Sequence, residues 1–351
     1  MTNFKNMNIV VLAGGTSTER LISIISGTGV CRALRAKGHN AVLLDIFVGD
    51  STADSNDFFP AQYDVDKASA YMSSFNDSIP AMVKERRAFF GPNVLEMCSA
   101  ADIVFMALHG ANGEDGRVQA TFDLMGIRYT GAGYLSSAMA MDKAITKNMY
   151  ITGGVPTAKA YFVERGVEVK TPAEMGLKYP VVVKPACGGS SVGITIAKDE
   201  TEFNASVKTA FDLEPKAVIE EFLKGREFSV GVIDGKALPV IEIAPKEGFY
   251  DYENKYKPGA TVETCPADIT PEQTERMQRH AEHAMEALGI EAYGRIDFIM
   301  DAEGNMISLE ANTLPGMTAT SLLPQEAAQV GFGYEDLCEH LINVSLKKYN
   351  A

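Results

Sequence analysis

Residues 293–316 restrict the chain more than any other stretch. Tyr293-Gly294-Arg295-Ile296-Asp297-Phe298-Ile299-Met300 and Met306-Ile307-Ser308-Leu309-Glu310-Ala311-Asn312 both alternate with period two. Asp301-Ala302-Glu303-Gly304-Asn305 between them is turn chemistry, so the pattern predicts a hairpin. With Asp301 and Met306 closing the turn, Ile299 falls opposite Ser308, Asp297 opposite Glu310, and Arg295 opposite Asn312. Ile296 and Phe298 then share the other face with Ile307, Leu309 and Ala311. Asp297 and Glu310 would face each other with β-carbons about 5 Å apart. At an effective dielectric of about 20, such a pair repels by about 3 kcal/mol. A strand pair keeps that arrangement only beside a cation. Asp297, Glu310 and the Asn312 amide offer oxygen ligands alone, which suits a hard ion such as magnesium, whose shell phosphate oxygens commonly complete. A solvated polar face with opposed charges is the plainer alternative. Arg295 and the Pro315-Gly316 turn weigh against it, because they set a cationic fork and a backbone N–H beside the metal. The chemistry this points to is phosphoryl transfer.

The rest of the chain must supply a nucleotide pocket and a substrate. At 351 residues there is room for roughly two or three domains, and 46% apolar with 22% charged residues is globular composition. A net charge of −14 argues against nucleic acid or an anionic membrane as partner. Cys31, Cys98, Cys187, Cys265 and Cys338 are widely spaced with no C-x-x-C, which argues against a zinc or disulfide framework and fits a reducing cytoplasm. Residues 8–12 are too short for a signal h-region and no spanning segment is found, so a soluble protein is expected.

In chain order, residues 8–12 read as a buried strand, followed by the Gly14-Gly15-Thr16-Ser17 turn, a helix over 19–37 and a strand over 41–46. Open parallel sheets bind ligands at such a turn. It lacks the G-x-G-x-x-G fingerprint, so a nicotinamide dehydrogenase is not supported. A phosphate or an amino acid suits the helix N-terminus, and Glu19 favours an ammonium group there. Residues 49–98 carry a weak pattern, with a helix and an irregular strand expected between 63 and 90. Residues 102–108 form another buried strand that delivers His109 to the same sheet edge, where ligand contact and loop scaffolding are equally good readings. One helix is expected over 136–150, carrying Met141-Asp142-Lys143, with a new strand from Val155. Residues 179–185 form a strand ending at Lys184, and Gly188-Gly189-Ser190-Ser191-Val192-Gly193 follows. Three glycines and two hydroxyls there make either a flap of N–H groups over phosphates or a plain turn. Residues 217–223 place a carboxylate and an aromatic where a purine could be held, or else form a linker. Residues 226–243 read as a hairpin, 248–259 as an aromatic-rich lid loop, and 270–288, 321–331 and 334–348 as helices.

Taken together, these runs resemble the D-alanine–D-alanine ligases of the ATP-grasp superfamily. The resemblance rests on residues 14–20, Ala107-Leu108-His109-Gly110 with Gly113-Glu114-Asp115-Gly116, and Met141-Asp142-Lys143. It continues in Val183-Lys184-Pro185 with residues 189–193, Tyr250-Asp251-Tyr252 with Lys255-Tyr256, and Gly294-Arg295-Ile296-Asp297. Leu309-Glu310-Ala311-Asn312-Thr313 with Pro315-Gly316-Met317-Thr318 completes it. It covers the chain except residues 49–98. The fold it implies is α/β, an ATP-grasp fold: a Rossmann-like preATP-grasp domain (1–131), then two α+β ATP-grasp subdomains (132–224 and 225–351).

By the same resemblance, Lys143 and Lys184 hold ATP phosphates, while Glu220, Phe222, Leu223, Glu227, Phe249 and Leu309 bind adenine and ribose. Asp297, Glu310 and Asn312 bind two magnesium ions, with manganese as an alternative. Glu19 meets the ammonium of the first D-alanine and is linked through Ser190 to Tyr256. Lys255 reaches the transferred phosphoryl group, Arg295 and the Gly316 N–H stabilise the oxyanion, and Ser321 and Leu322 position the second carboxylate, with His109 also at the substrate. The implied reaction joins two D-alanines through an acyl phosphate for peptidoglycan synthesis, in a cytoplasmic homodimer. Another ATP-grasp carboxylate–amine ligase, or a non-catalytic nucleotide or amino-acid sensor, shares the ATP site. Cys187-Gly188 replaces the charged residues some relatives carry before Gly-Ser-Ser, and Tyr256 favours D-alanine as second substrate.

Overall fold

The computed structural model describes residues 6–189, 192–246 and 259–349. The expectations for Ser190, Phe249, Lys255 and Tyr256 lie outside those residues. The first sheet is parallel, ordered β2-β1-β3 from β1 (Asn8–Ala13), β2 (Asn40–Asp45) and β3 (Ile103–Met106). Its strands are continuous apolar runs because both faces are covered. One face packs on helices Arg20–Ala36 and Tyr334–Leu346 through Val30, Leu34, Leu337 and Leu341. The other packs on helices Val94–Ala100 and Arg117–Met125 through Val94, Met97, Val118 and Phe122. Segment 49–98 holds the short helices Val65–Ser73, Ile79–Glu85 and Val94–Ala100, and the irregular strand expected between residues 63 and 90 is not formed. Those residues lack a period of two and bury Val65, Met72 and Ile79 singly against the sheet domain.

A four-stranded antiparallel sheet follows, ordered β4-β7-β5-β6: β4 (Ala160–Glu164), β5 (Val181–Pro185), β6 (Thr195–Ala197) and β7 (Lys216–Glu221). Helix Glu200–Leu213 covers one face through Phe203, Val207 and Ala210, against Val181, Val183, Ala217 and Ile219. Period-two alternation therefore turns Lys184 and Glu220 to the opposite face. The third sheet comprises β8 (Arg226–Ile233), β9 (Lys236–Ala237), β10 (Ile241–Pro245), β11 (Thr261–Thr264), β12 (Tyr293–Met300) and β13 (Met306–Asn312). Its order is β11-β10-β8-β12-β13, with β9 beside β8. Helix Pro271–Leu288 packs on it, started by a Thr270–Gln273 capping box and stopped by Gly289 at φ +62°.

Two expectations about local structure are corrected. Residues 136–150 are not one helix: Tyr134–Met141 and Lys143–Gly153 are separated by Asp142 at φ −89°, ψ 104°. The Asp142 carboxylate accepts the Ala144 and Ile145 N–H groups, so this residue caps the second helix rather than continuing the first. No strand begins at Val155 either. Only a bridge from Thr157 to Ser308 forms before β4.

The hairpin also departs from the simple ladder. Arg295 does face Asn312 and Asp297 does face Glu310, but Phe298 then faces Ser308, Ile299 faces Ile307 and Met300 faces Met306. The Asp301 N–H donates to the Asn305 carbonyl at 3.0 Å, and Gly304 takes φ +81°. The loop is thus one residue tighter than expected, and β13 absorbs the difference as a bulge at Leu309. The face assignment changes accordingly: Ser308 is fully buried, whereas Ile307 and Leu309 leave the core and are only half-buried.

Candidate active site

Three sheets contribute to one cavity of about 470 Å³, lined among other residues by Glu19, His109, Lys143, Arg295, Glu310 and Gly316. Asn312, Ser321 and Leu322 line it too. Glu19 is delivered by the turn after β1. The Arg20 guanidinium pairs with Asp45 at 2.6 Å and donates to the Gly15 carbonyl at 2.8 Å. Asp45 in turn accepts the Phe47 and Val48 N–H groups. A β-carbon on Gly14 would lie 2.3 Å from the Asp45 carboxylate, and Gly14 sits at φ +76°, so only glycine fits there. This lock leaves Glu19 buried, with Oε2 3.0 Å from where a Gly189 β-carbon would be. Gly189 therefore lies directly against Glu19.

On the far wall, the Leu314–Met317 turn is held by residues of the first sheet's loops. The Leu314 N–H donates to Glu114 at 3.3 Å, and the Leu314 carbonyl meets His109 Nδ1 at 3.2 Å. His109 Nε2 contacts Ser26 Oγ at 3.3 Å, and that hydroxyl also accepts the Met317 N–H at 3.4 Å. Burial lowers the His109 pKa, so a neutral ring donating from Nδ1 to the carbonyl fits these partners. His109 thus scaffolds the turn while also lining the cavity. Glu114, for which the sequence offered no role, is pushed up to about 8 by burial and by the Glu19 charge. Ser321 precedes helix Leu322–Gln329 and accepts the Thr318 N–H at 3.0 Å. A β-carbon on Gly316 would lie 2.7 Å from its hydroxyl, so Gly316 and Ser321 are adjacent.

The carboxylates of the hairpin are not left to a metal alone. Asp297 receives a fork from Arg295 (Nε to Oδ1 and Nη2 to Oδ2, both 2.9 Å), the Ser229 hydroxyl at 2.7 Å, and the Asn312 amide at 3.0 Å. Lys143 Nζ lies 3.7 Å from Glu310 and donates to the Gly188 carbonyl at 2.7 Å. The expectation that only a bound cation relieves the Asp297–Glu310 repulsion is therefore corrected, since protein cations stand beside both. The set still fits magnesium. Among the described residues no three His, Cys, Asp or Glu side chains stand close enough together to hold a metal ion by themselves. Two carboxylates and an amide oxygen match an ion that draws its remaining ligands from phosphate and water.

Beside the cavity, Glu220 bridges Lys184 at 2.5 Å and Lys147 at 2.8 Å, all three buried. Burial alone would raise the Glu220 carboxyl, but Lys184 and Lys147 hold it down to about 2. Lys147 was missed at the sequence level. Its only signal is the four-residue spacing from Lys143, which puts both lysines on one helix face. Lys147 also donates to Thr157 Oγ1 and the Ala158 carbonyl, and Thr157 donates to the Ser308 carbonyl of β13. Leu223, Glu227 and Leu309 are half-buried and Phe222 is 37% exposed, which leaves apolar surface beside the lysine pair.

Comparison with known proteins agrees with this geometry. A profile described as D-ala D-ala ligase N-terminus matches residues 8–132, and one described as D-ala D-ala ligase C-terminus matches residues 151–343. A D-alanine–D-alanine ligase of Pediococcus pentosaceus is 42% identical, over 98% of this chain and 99% of that protein. One of Lacticaseibacillus casei is 41% identical over 98% and 97%. The crystal structure of a Bacillus anthracis D-alanine–D-alanine ligase complexed with ATP superposes with a TM-score of 0.77 at 28% identity, over 98% of this chain and 100% of that one. With both profiles matched and full-length relatives above 40% identity, the chain belongs to the D-alanine–D-alanine ligase family, with its ATP-grasp fold.

Proposed function

We propose that this enzyme joins two D-alanines into D-alanyl-D-alanine, converting ATP to ADP and phosphate, as a step in making peptidoglycan precursors. The observation that carries the reading is the meeting of Glu19, Arg295, Gly316 and Ser321 in one cavity beside the buried Lys143. A carboxylate, a guanidinium, a backbone N–H and a helix start are the groups needed to hold two amino acids around one reacting carbonyl.

Glu19 holds the ammonium of the first D-alanine, whose carboxylate attacks the γ-phosphorus of ATP. The bond to the β–γ bridging oxygen breaks, and ADP leaves. Lys143 and Lys184 hold the phosphates in line, since phosphoryl transfer depends on positioning and charge neutralisation. Glu220, Phe222, Leu223, Glu227 and Leu309, with Phe249, hold adenine and ribose. Asp297, Glu310 and Asn312 hold two magnesium ions, or manganese, which neutralise phosphate charge when bound. Arg295 and the Gly316 N–H stabilise the tetrahedral oxyanion formed when the second D-alanine's amine attacks the acyl phosphate. Ser321 and the start of helix Leu322–Gln329 receive the second carboxylate, a helix N-terminus being suited to an anion. His109 keeps the Gly316 turn in place, Lys255 meets the transferred phosphoryl group, and Ser190 links Glu19 to Tyr256. We assign residues 1–131, 132–224 and 225–351 to three domains, and the protein to the cytoplasm as a homodimer. Among the described residues no helix is long and apolar enough to cross a membrane.

The test is phosphate release from ATP and magnesium with D-alanine, L-alanine or no amino acid, alongside mass detection of dipeptide. Phosphate and dipeptide with D-alanine alone are expected. ATP binding without turnover on D-alanine would overturn the proposal.

A further inference from the structure

Four carboxylates line the cavity among the described residues: Glu19, Glu114, Glu263 and Glu310. Two zwitterionic amino acids bring two ammonium groups into it. Glu19 answers the first on the reading above. Glu114 is held by the Gly110 and Leu314 N–H groups, and Glu310 stands with Lys143 at the phosphate end. Glu263 remains. It sits on edge strand β11 opposite Ile243, and its side chain reaches helix Leu322–Gln329, where Gln325 Nε2 donates to Oε2. The same Gln325 nitrogen donates to the Thr320 carbonyl at 3.0 Å, so the carboxylate is anchored one turn from Ser321. No expectation drawn from the sequence assigned Glu263 a role.

We propose that Glu263 is the ammonium-binding and proton-accepting group for the second D-alanine, a role that rests on the ligase reading above. An α-ammonium has no lone pair, so attack on the acyl phosphate requires loss of a proton first. One ammonium N–H bond breaks and its proton goes to a Glu263 oxygen. The freed lone pair forms the C–N bond, and the C–O bond to phosphate breaks with its electron pair on oxygen. A second nitrogen proton goes to the departing phosphate. The ammonium, carboxylate and acyl phosphate thus become neutral amide, carboxylic acid and hydrogen phosphate. Burial pushes the Glu263 carboxyl above its ordinary value, while Gln325 and the Arg295 charge pull it down, which leaves a stronger base than an exposed glutamate.

Hydroxylamine separates this role from the rest of the site, because it is an uncharged nucleophile at neutral pH and consumes the acyl phosphate without a base. Glu263→Gln is expected to lower dipeptide synthesis by about 10²-fold or more and to raise the KM of the second D-alanine only. Hydroxamate formation with D-alanine, ATP and hydroxylamine should stay at the wild-type rate. Dipeptide synthesis unchanged in Glu263→Gln would overturn the proposal, as would equal loss of dipeptide and hydroxamate in a variant with wild-type melting temperature. A wild-type enzyme forming neither product would instead overturn the ligase reading.

Discussion

Glu310 faces Asp297 across the hairpin, yet the two carboxylates stand in different company. Asp297 is enclosed by Arg295, Ser229 and Asn312, whereas among the described residues the cation beside Glu310 is Lys143, at 3.7 Å. On the proposed reading Glu310 takes the cation that arrives with ATP, and Asp297 keeps its side of the pair oriented. Glu310→Gln preserves shape and removes the charge. Dipeptide synthesis is expected to fall at least 10²-fold with the melting temperature within about 2 °C of wild type. Near-normal turnover in that variant would refute the metal assignment. Opposition of these two residues was legible from alternation alone, because period two dictates which residues share a face. Their neutralisation was not. Arg295 reaches Asp297 two residues along its own strand, and Ser229 comes from β8, which no local pattern pairs with β12.

At the scale of elements, close approach rather than propensity places the first helix. Gly27 lies in the middle of helix Arg20–Ala36, where glycine costs about 1 kcal/mol relative to alanine. A β-carbon there would stand 2.6 Å from Ala13 Cβ and 3.0 Å from a Leu43 methyl, so the helix packs directly on β1 and β2. Gly27→Ala is therefore expected to destabilise by about 1–3 kcal/mol through overpacking despite the better helix former, as measured by urea unfolding. It should also raise the KM for D-alanine, since Glu19 begins this helix; a stabilised variant would contradict the packing argument. The same scale explains two departures from the sequence pattern. Asp142 could have continued a helix, but its carboxylate bonds the N–H groups of the next turn. The bulge at Leu309 follows from the Asp301–Asn305 pair closing a tighter loop than simple alternation allows.

Across the whole molecule, Lys147 ties together parts far apart in sequence: Glu220 of β7, the Thr157-Ala158 link and, through Thr157, Ser308 of β13. Removing its charge leaves Glu220 with Lys184 alone. Lys147→Met is expected to destabilise by about 1.5–3 kcal/mol, the usual effect of losing a hydrogen bond to a charged group, because Lys184 still faces Glu220. Glu220 carries a folded pKa of about 2, below its unfolded value. Its contribution is therefore present above about pH 4.3 and is lost as pH falls toward 2. With Lys147 gone the depression shrinks, and acid unfolding should begin at higher pH. An acid transition unchanged from wild type would show that Lys184 alone sets the Glu220 charge. By itself the sequence determined most of the strands and helices, the glycine turns and the facing of Asp297 and Glu310, because these follow from local periodicity, capping and turn chemistry. Only the tertiary structure decided that Lys147 meets Glu220, that His109 and Glu114 hold the Gly316 turn, and that Glu263 shares a cavity with Ser321. Each of those contacts joins residues 50 to 200 or so positions apart, and buried charges and unpaired N–H groups find partners wherever packing brings them.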